Sequence, residues 1–155
     1  MGIVPMFGGD AIGAQVRKFQ KRLEEAALLV LKDLGEELTE YAKDKHNYTD
    51  RTGNLTNSIG YAIARGSDIV YFGGAIQPGE GADNALKVAK EMAKSLKSSL
   101  TLIIVAGMNY AAYVEARGYN VILPSELKAR TDFPKVMRSL MDKAQRKADE
   151  LFGSI

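Results

Sequence analysis

Ser58-Ile59-Gly60-Tyr61-Ala62-Ile63-Ala64-Arg65, then Gly66-Ser67-Asp68, then Ile69-Val70-Tyr71-Phe72, reads as a β-hairpin. The first run is rich in β-branched and aromatic residues. The glycine of the turn can take the positive φ that a tight reversal needs, and the second run returns along the first. Just upstream, Asp50-Arg51-Thr52-Gly53-Asn54-Leu55-Thr56-Asn57-Ser58-Ile59 reads as the turn that launches the first strand. Thr52 and Asn54 can bond nearby backbone groups, Gly53 can take a left-handed conformation, and Leu55 and Ile59 then drop into the core.

Further upstream the pattern changes to a helical one. Asp10 can cap a helix that runs to about Asp44, with Ile12, Val16, Phe19, Leu23, Ala27, Val30, Leu34, Leu38 and Tyr41 on one stripe. The run Ala26 to Leu31 is apolar nearly all the way round, and a helix of that kind is covered on every side. At 1.5 Å per residue such a helix is roughly 52 Å long, whereas a domain of this size has a radius of gyration of about 15 Å. It therefore kinks at Gly35, or a second subunit covers the excess, and the two can coexist. Leu28, Leu29 and Leu31 are the candidate interface residues. Met1 to Gly9, with three glycines and a proline, reads as a flexible arm.

Downstream of the hairpin, Gly73 to Gly81 reads as a glycine-rich loop. Asp83 can cap a helix to about Leu96, with Leu86, Ala89, Ala93 and Leu96 on one side and Lys87, Lys90, Lys94 and Lys97 elsewhere. Leu100 to Ala106 is an apolar strand. Asn109-Tyr110-Ala111-Ala112-Tyr113-Val114-Glu115 follows as a short helical turn, with Tyr110 and Val114 on one side and Glu115 solvated or paired with a cation. Tyr119 to Leu123 reads as a last short strand, and Pro124 to Arg130 as a connector with some helix potential. Thr131-Asp132-Phe133-Pro134 opens a final helix, a capping residue followed by proline in the first turn, which stops at Gly153. The order predicts an α+β domain over 1–155: a small antiparallel or mixed sheet, covered on one face by a long N-terminal and a C-terminal helix, with an inserted helix at 74–99.

The composition of these 155 residues is that of an ordinary globular domain, 46% apolar and 26% charged. A net charge of +2 argues neither for nucleic acid nor for membrane from the chain as a whole. Without cysteine there is no disulfide scaffold, thiol nucleophile or cysteine-ligated zinc. Met1 to Gly9 lacks the pattern of a signal peptide, and the longest apolar runs are too short to span a bilayer.

Enzyme chemistry finds little support. His46 is the only histidine and falls in a polar loop. Gly73-Gly74 and Gly79-Glu80-Gly81 lie between a strand and a helix, but they match neither phosphate-loop pattern, and Glu80 would repel a phosphate. We therefore expect no catalytic residue, cofactor or metal. The last helix carries Lys135, Arg138, Lys143, Arg146 and Lys147, which reads first as a solvated face. Lys143, Arg146 and Lys147 are nonetheless the candidates for non-specific contact with DNA.

The Thr52-Gly53-x-Leu55-x-x-Ser58-Ile59 step, the Tyr110-Ala111-x-Tyr113-Val114-Glu115 segment and Phe133-Pro134 together resemble the small neck proteins of tailed bacteriophages, the head–tail joining or tail-completion group. The resemblance covers roughly residues 19–152. Departures from the family pattern include the stretch from Gly74 to Ser99, which looks like an insertion, and two local ones. The family often has proline just before the Thr-Gly step, where this chain has Tyr48-Thr49-Asp50-Arg51, and an aromatic and Gly after the Glu, where it has Ala116-Arg117-Gly118. The resemblance implies a virion structural protein at the head–tail junction, assembled in the bacterial cytoplasm. It would act as an oligomeric ring, with a portal-side adaptor and a tail terminator or tube protein as partners.

Overall fold

The structure is a computed structural model that describes residues 8–45, 47, 49–50, 53–74, 79–97, 100–108, 115, 118 and 121–153, with backbone alone for 8–10 and 54. Its elements are α1 (Gly8–Asp44), α2 (Asn54–Asn57), β1 (Ile59–Arg65), β2 (Asp68–Gly73), α3 (Glu80–Ala93), β3 (Thr101–Ala106) and α4 (Leu123–Phe152). The strands form one antiparallel sheet in the order β2-β1-β3, which is the expected α+β class with an inserted helix. The Arg65 to Asp68 hairpin closes over Gly66 and Ser67. Its register steps by one between Ile63 and Ala64, which leaves Val70 unopposed.

β1 is the centre of the molecule, with Ile59 to Ala64 buried without a break. Alternate residues of a strand point to opposite faces, so a run of this kind needs cover on both. Tyr61 and Ile63, with Leu102 and Ile104, face Leu28 and Leu31 of α1. Ala62, Ala64, Ile103 and Val105 face Ala85, Ala89 and Ala93 of α3. The sheet thus lies between two helical layers, whereas the sequence reading covered only one face. The reason is alanine on alanine: small side chains on both surfaces let α3 approach the sheet closely. Gly107 marks the limit of that approach, because a Cβ there would lie 2.0 Å from the Gly81 carbonyl oxygen and 2.4 Å from the Ala85 nitrogen. Accordingly α3 opens at Glu80, with Gly79 as its cap, and Asp83 sits in its first turn rather than capping it.

α1 runs through Gly35 without interruption, over 37 residues. Gly35 serves close approach instead of a kink: a Cβ there would lie 2.3 Å from the buried Tyr61 ring. α4 runs antiparallel beside α1 and covers one side of it between Phe19 and Leu38, while Ile12, Val16 and Leu29 stay exposed. At one end the Ser125 hydroxyl donates to the Leu38 carbonyl, and Lys128 pairs with Glu37 at 3.0 Å. At the other, Phe19 and Phe152 meet edge to face, 5.8 Å between ring centres.

α4 begins ten residues earlier than the sequence reading placed it. Pro124 is the first-turn proline, and Pro134 lies inside the helix. Thr131 and Asp132 are therefore internal, Asp132 pairing with Lys128 one turn back. The expected strand at Tyr119 to Leu123 is absent in its described part, where Val121 and Ile122 bend into α4. The stop at Gly153 holds, its N–H donating to the Asp149 carbonyl at 2.9 Å. Of the expected arm, Gly8 and Gly9 are already helical, and residues 1–7 lie outside the described residues.

Candidate functional site

The first joint stands as a short helix, α2, ahead of β1. Gly53 takes φ +74, the left-handed conformation expected of it, and its carbonyl accepts the Asn57 N–H at 2.9 Å. Leu55 and Ile59 are buried, and the buried Ser58 hydroxyl donates to the Leu55 carbonyl at 2.7 Å. The capping acceptor is Asp50, whose carboxylate takes the Thr56 N–H at 2.8 Å. The sequence reading gave that part to Asn54, described here by its backbone alone, and to Thr52, which lies outside the described residues, as do His46 and the loop tip at 75–78.

At the second joint, Tyr110, Tyr113 and Val114 also lie outside the described residues. Glu115 is described and half-buried, and no ion pair of its carboxylate falls among the described residues. Its carboxylate accepts three successive backbone N–H groups, from Val121 at 2.6 Å, Ile122 at 3.2 Å and Leu123 at 2.9 Å. A helix start leaves N–H groups without partners and carries partial positive charge, so a carboxylate there is stabilising twice over. This bonding also explains the missing strand, since those N–H groups are no longer free for a ladder. Glu115→Ala is expected to cost about 2 kcal/mol and to fray the start of α4. Thermal melting with hydrogen exchange at residues 121–125 checks it. An unchanged melt with normal protection there would remove Glu115 from this role.

The titratable groups that depart from their ordinary values are structural in placement. Burial pushes the Tyr61 hydroxyl up, and its bond to the Glu36 carboxylate at 2.8 Å adds to that. Burial lowers the Lys43 ammonium, against the pull of Glu36 and Glu40, and Lys43 donates to the Gly74 carbonyl. Asp132 and then Glu37 hold the Lys128 ammonium above the ordinary lysine value.

The surfaces are more telling. Of the three candidate interface leucines, Leu31 is only 3% exposed, in the chain's own core, and Leu28 leans on the same cluster. Leu29 alone points out, at 62% exposure. On α4, Leu123, Leu127 and Met141 are exposed, and their spacing puts them on one stripe. Phe133 is likewise exposed, at the mouth of an apolar cleft of about 520 Å³ between α1, β3 and α4. Pro134 is exposed beside it. A smaller groove, about 200 Å³, opens along the α1–α4 seam between Phe19, Leu23 and Ala26 and Leu140, Ala144 and Leu151. Arg22, Lys143 and Lys147 rim it. Arg146 is exposed on the same helix, and Lys147 pairs with Glu150 at 3.3 Å.

No known family, characterised protein or solved structure matches this chain. Among the described residues no three of His, Cys, Asp and Glu gather as a metal site, and no helix is long and apolar enough to cross a membrane. The conspicuous features are thus two carboxylate-held joints and several open apolar surfaces on the long helices. Sequence reasoning missed Asp50 as a cap, and it singled out Glu115 without finding its backbone partners. The signal for the second was Leu123-Pro124-Ser125-Glu126, a proline-led helix start, passed over in favour of Thr131 to Pro134.

Proposed function

We propose that this chain is a structural part of a phage virion at the head–tail junction, acting as an oligomeric ring. Its neighbours would be a portal-side adaptor and a tail-side terminator or tube protein. The observation that supports this reading is the open stripe of Leu123, Leu127 and Met141 on α4, exposed at 43%, 54% and 56%. Leu123 and Leu127 one turn apart, with Met141 on the same line about 21 Å further along, suit a surface that another chain covers. The two joints suit a built part as well, since each fixes the direction in which a long element leaves. A ring requires a contact between two different patches of neighbouring copies, repeated until it closes. The test is genetic. A phage lacking this chain should yield filled heads and separate tails. Joined, infectious particles made without it would sink the reading.

A second reading, a DNA-binding or adaptor protein, is favoured by one observation. Arg22 of α1 adds to Lys143 and Lys147 of α4, so the cations of two helices share one groove. It predicts duplex binding that weakens steeply with salt. Replacing Lys143, Arg146 and Lys147 by Gln should then weaken binding at least tenfold at low salt. Equal binding by that variant would remove this reading.

A further inference from the structure

We infer that two copies of this chain dock antiparallel along the outer face of α1, each placing its Leu29 in the α1–α4 groove of the other. Leu29 is the most exposed large apolar residue among the described residues, at 62%. It lies seven residues beyond Arg22 and three beyond Ala26, both of which line the groove, so it shares their side of the helix. The groove has an apolar floor and measures about 200 Å³. That is ample for one leucine side chain, since an apolar cavity of about 150 Å³ already holds a benzene molecule.

Charge fixes the occupant and its direction. Past Leu29 the same face carries Asp33 and Glu40, both exposed, at helical steps of four and seven. Before Leu29 it carries the basic rim of Arg22, Lys143 and Lys147, with one exposed acid, Glu25, among them. One face is therefore mainly basic at one end and acidic at the other, with an apolar knob between. A face so divided complements a reversed copy of itself: Asp33 and Glu40 of each chain meet the basic rim of the other, and the contact is made twice. The net charge of +2 opposes such pairing only weakly.

This contact does not depend on the ring reading, which draws on the exposed stripe of α4. Sedimentation across a concentration series tests it. The wild-type chain should pass from monomer to dimer as concentration rises. Leu29→Asp should weaken the dimer at least tenfold, with its circular dichroism and melting temperature unchanged. A rim-reversed variant (R22E, K143E, K147E) and an acid-reversed variant (D33K, E40K) should each be monomeric alone and form a mixed dimer when combined. That rescue depends on surface charge, which a folding defect could not supply. A dimer that survives Leu29→Asp, or a mixture of the two reversed variants that stays monomeric, would overturn the contact and leave the ring reading untouched. A wild-type chain that is monomeric throughout would also overturn it, and would direct the groove to an acidic segment of another protein.

Discussion

Leu31→Asp is expected to abolish the folded state. The sequence alone made Leu31 a candidate for contact between subunits, on which view the variant would fold and fail to assemble. The structure places it at 3% exposure against Tyr61 and Ile63. Truncating a buried leucine costs about 2–5 kcal/mol. Leaving a carboxylate there adds the cost of an unpaired polar group out of water. The sum, roughly 5 kcal/mol or more, is comparable to the whole stability of a typical domain. Circular dichroism of the purified variant decides between the two views. A cooperative melt near that of the wild type would return Leu31 to the surface and discredit the packing of α1 on the sheet. Leu29, two residues away, gives the internal contrast, because aspartate there meets only water in the single chain.

Gly35→Ala is the second expected loss, and its sign is the informative part. In an exposed helix interior, alanine for glycine stabilises by about 1 kcal/mol. Here the new methyl would sit 2.3 Å from one Tyr61 ring carbon and 2.6 Å from two others. The ring has nowhere to retreat. It is fully buried, is backed by Gly73 and Tyr71, and is tied through its hydroxyl to Glu36 of α1 itself. Overpacking of this kind costs about 3 kcal/mol, which outweighs the gain in helix propensity. Denaturant unfolding reads the difference directly. The double variant Gly35→Ala, Tyr61→Leu should recover part of the loss, because the smaller side chain makes room for the methyl. A single variant more stable than wild type would mean that the ring does not lie over α1.

The elements were legible where one local signal ruled. The α1 helix, the Gly66-Ser67 turn and the apolar run of β3 all stand where the sequence put them, within a few residues, though Ile12 and Val16 of the expected α1 stripe are exposed. The errors came where two local signals competed. Two prolines each offered a helix start, and the reading took Pro134, whose neighbours Thr131 and Asp132 looked like caps. The tertiary contacts of Ser125 with Leu38 and of Lys128 with Glu37 favour the earlier one. Tyr119 to Leu123 looked like a strand on composition, but strand formation requires backbone N–H groups that the Glu115 carboxylate has already taken. Gly35 was read through its helix propensity, when its reason is a tyrosine 26 positions later in the chain. The groove along the α1–α4 seam could not be read at all, because its floor and rim come from segments more than a hundred residues apart.

The double cover of β1 has a consequence for how the molecule breathes. Amides paired on both edges and shielded on both faces open only when the whole sheet comes apart. Those of Tyr61 to Ile63 should therefore be the last to exchange with deuterium, at a rate set by global unfolding. The first turns of α1, where Ile12 and Val16 are 45% and 37% exposed, lie beyond the Phe19–Phe152 contact at the end of α4 and should exchange early. Protection should fall from one end of α1 to the other, so that a single helix is anchored firmly at the sheet and yields at its tip. Such a helix could adjust its free end to a neighbouring surface while the sheet that anchors it stays intact.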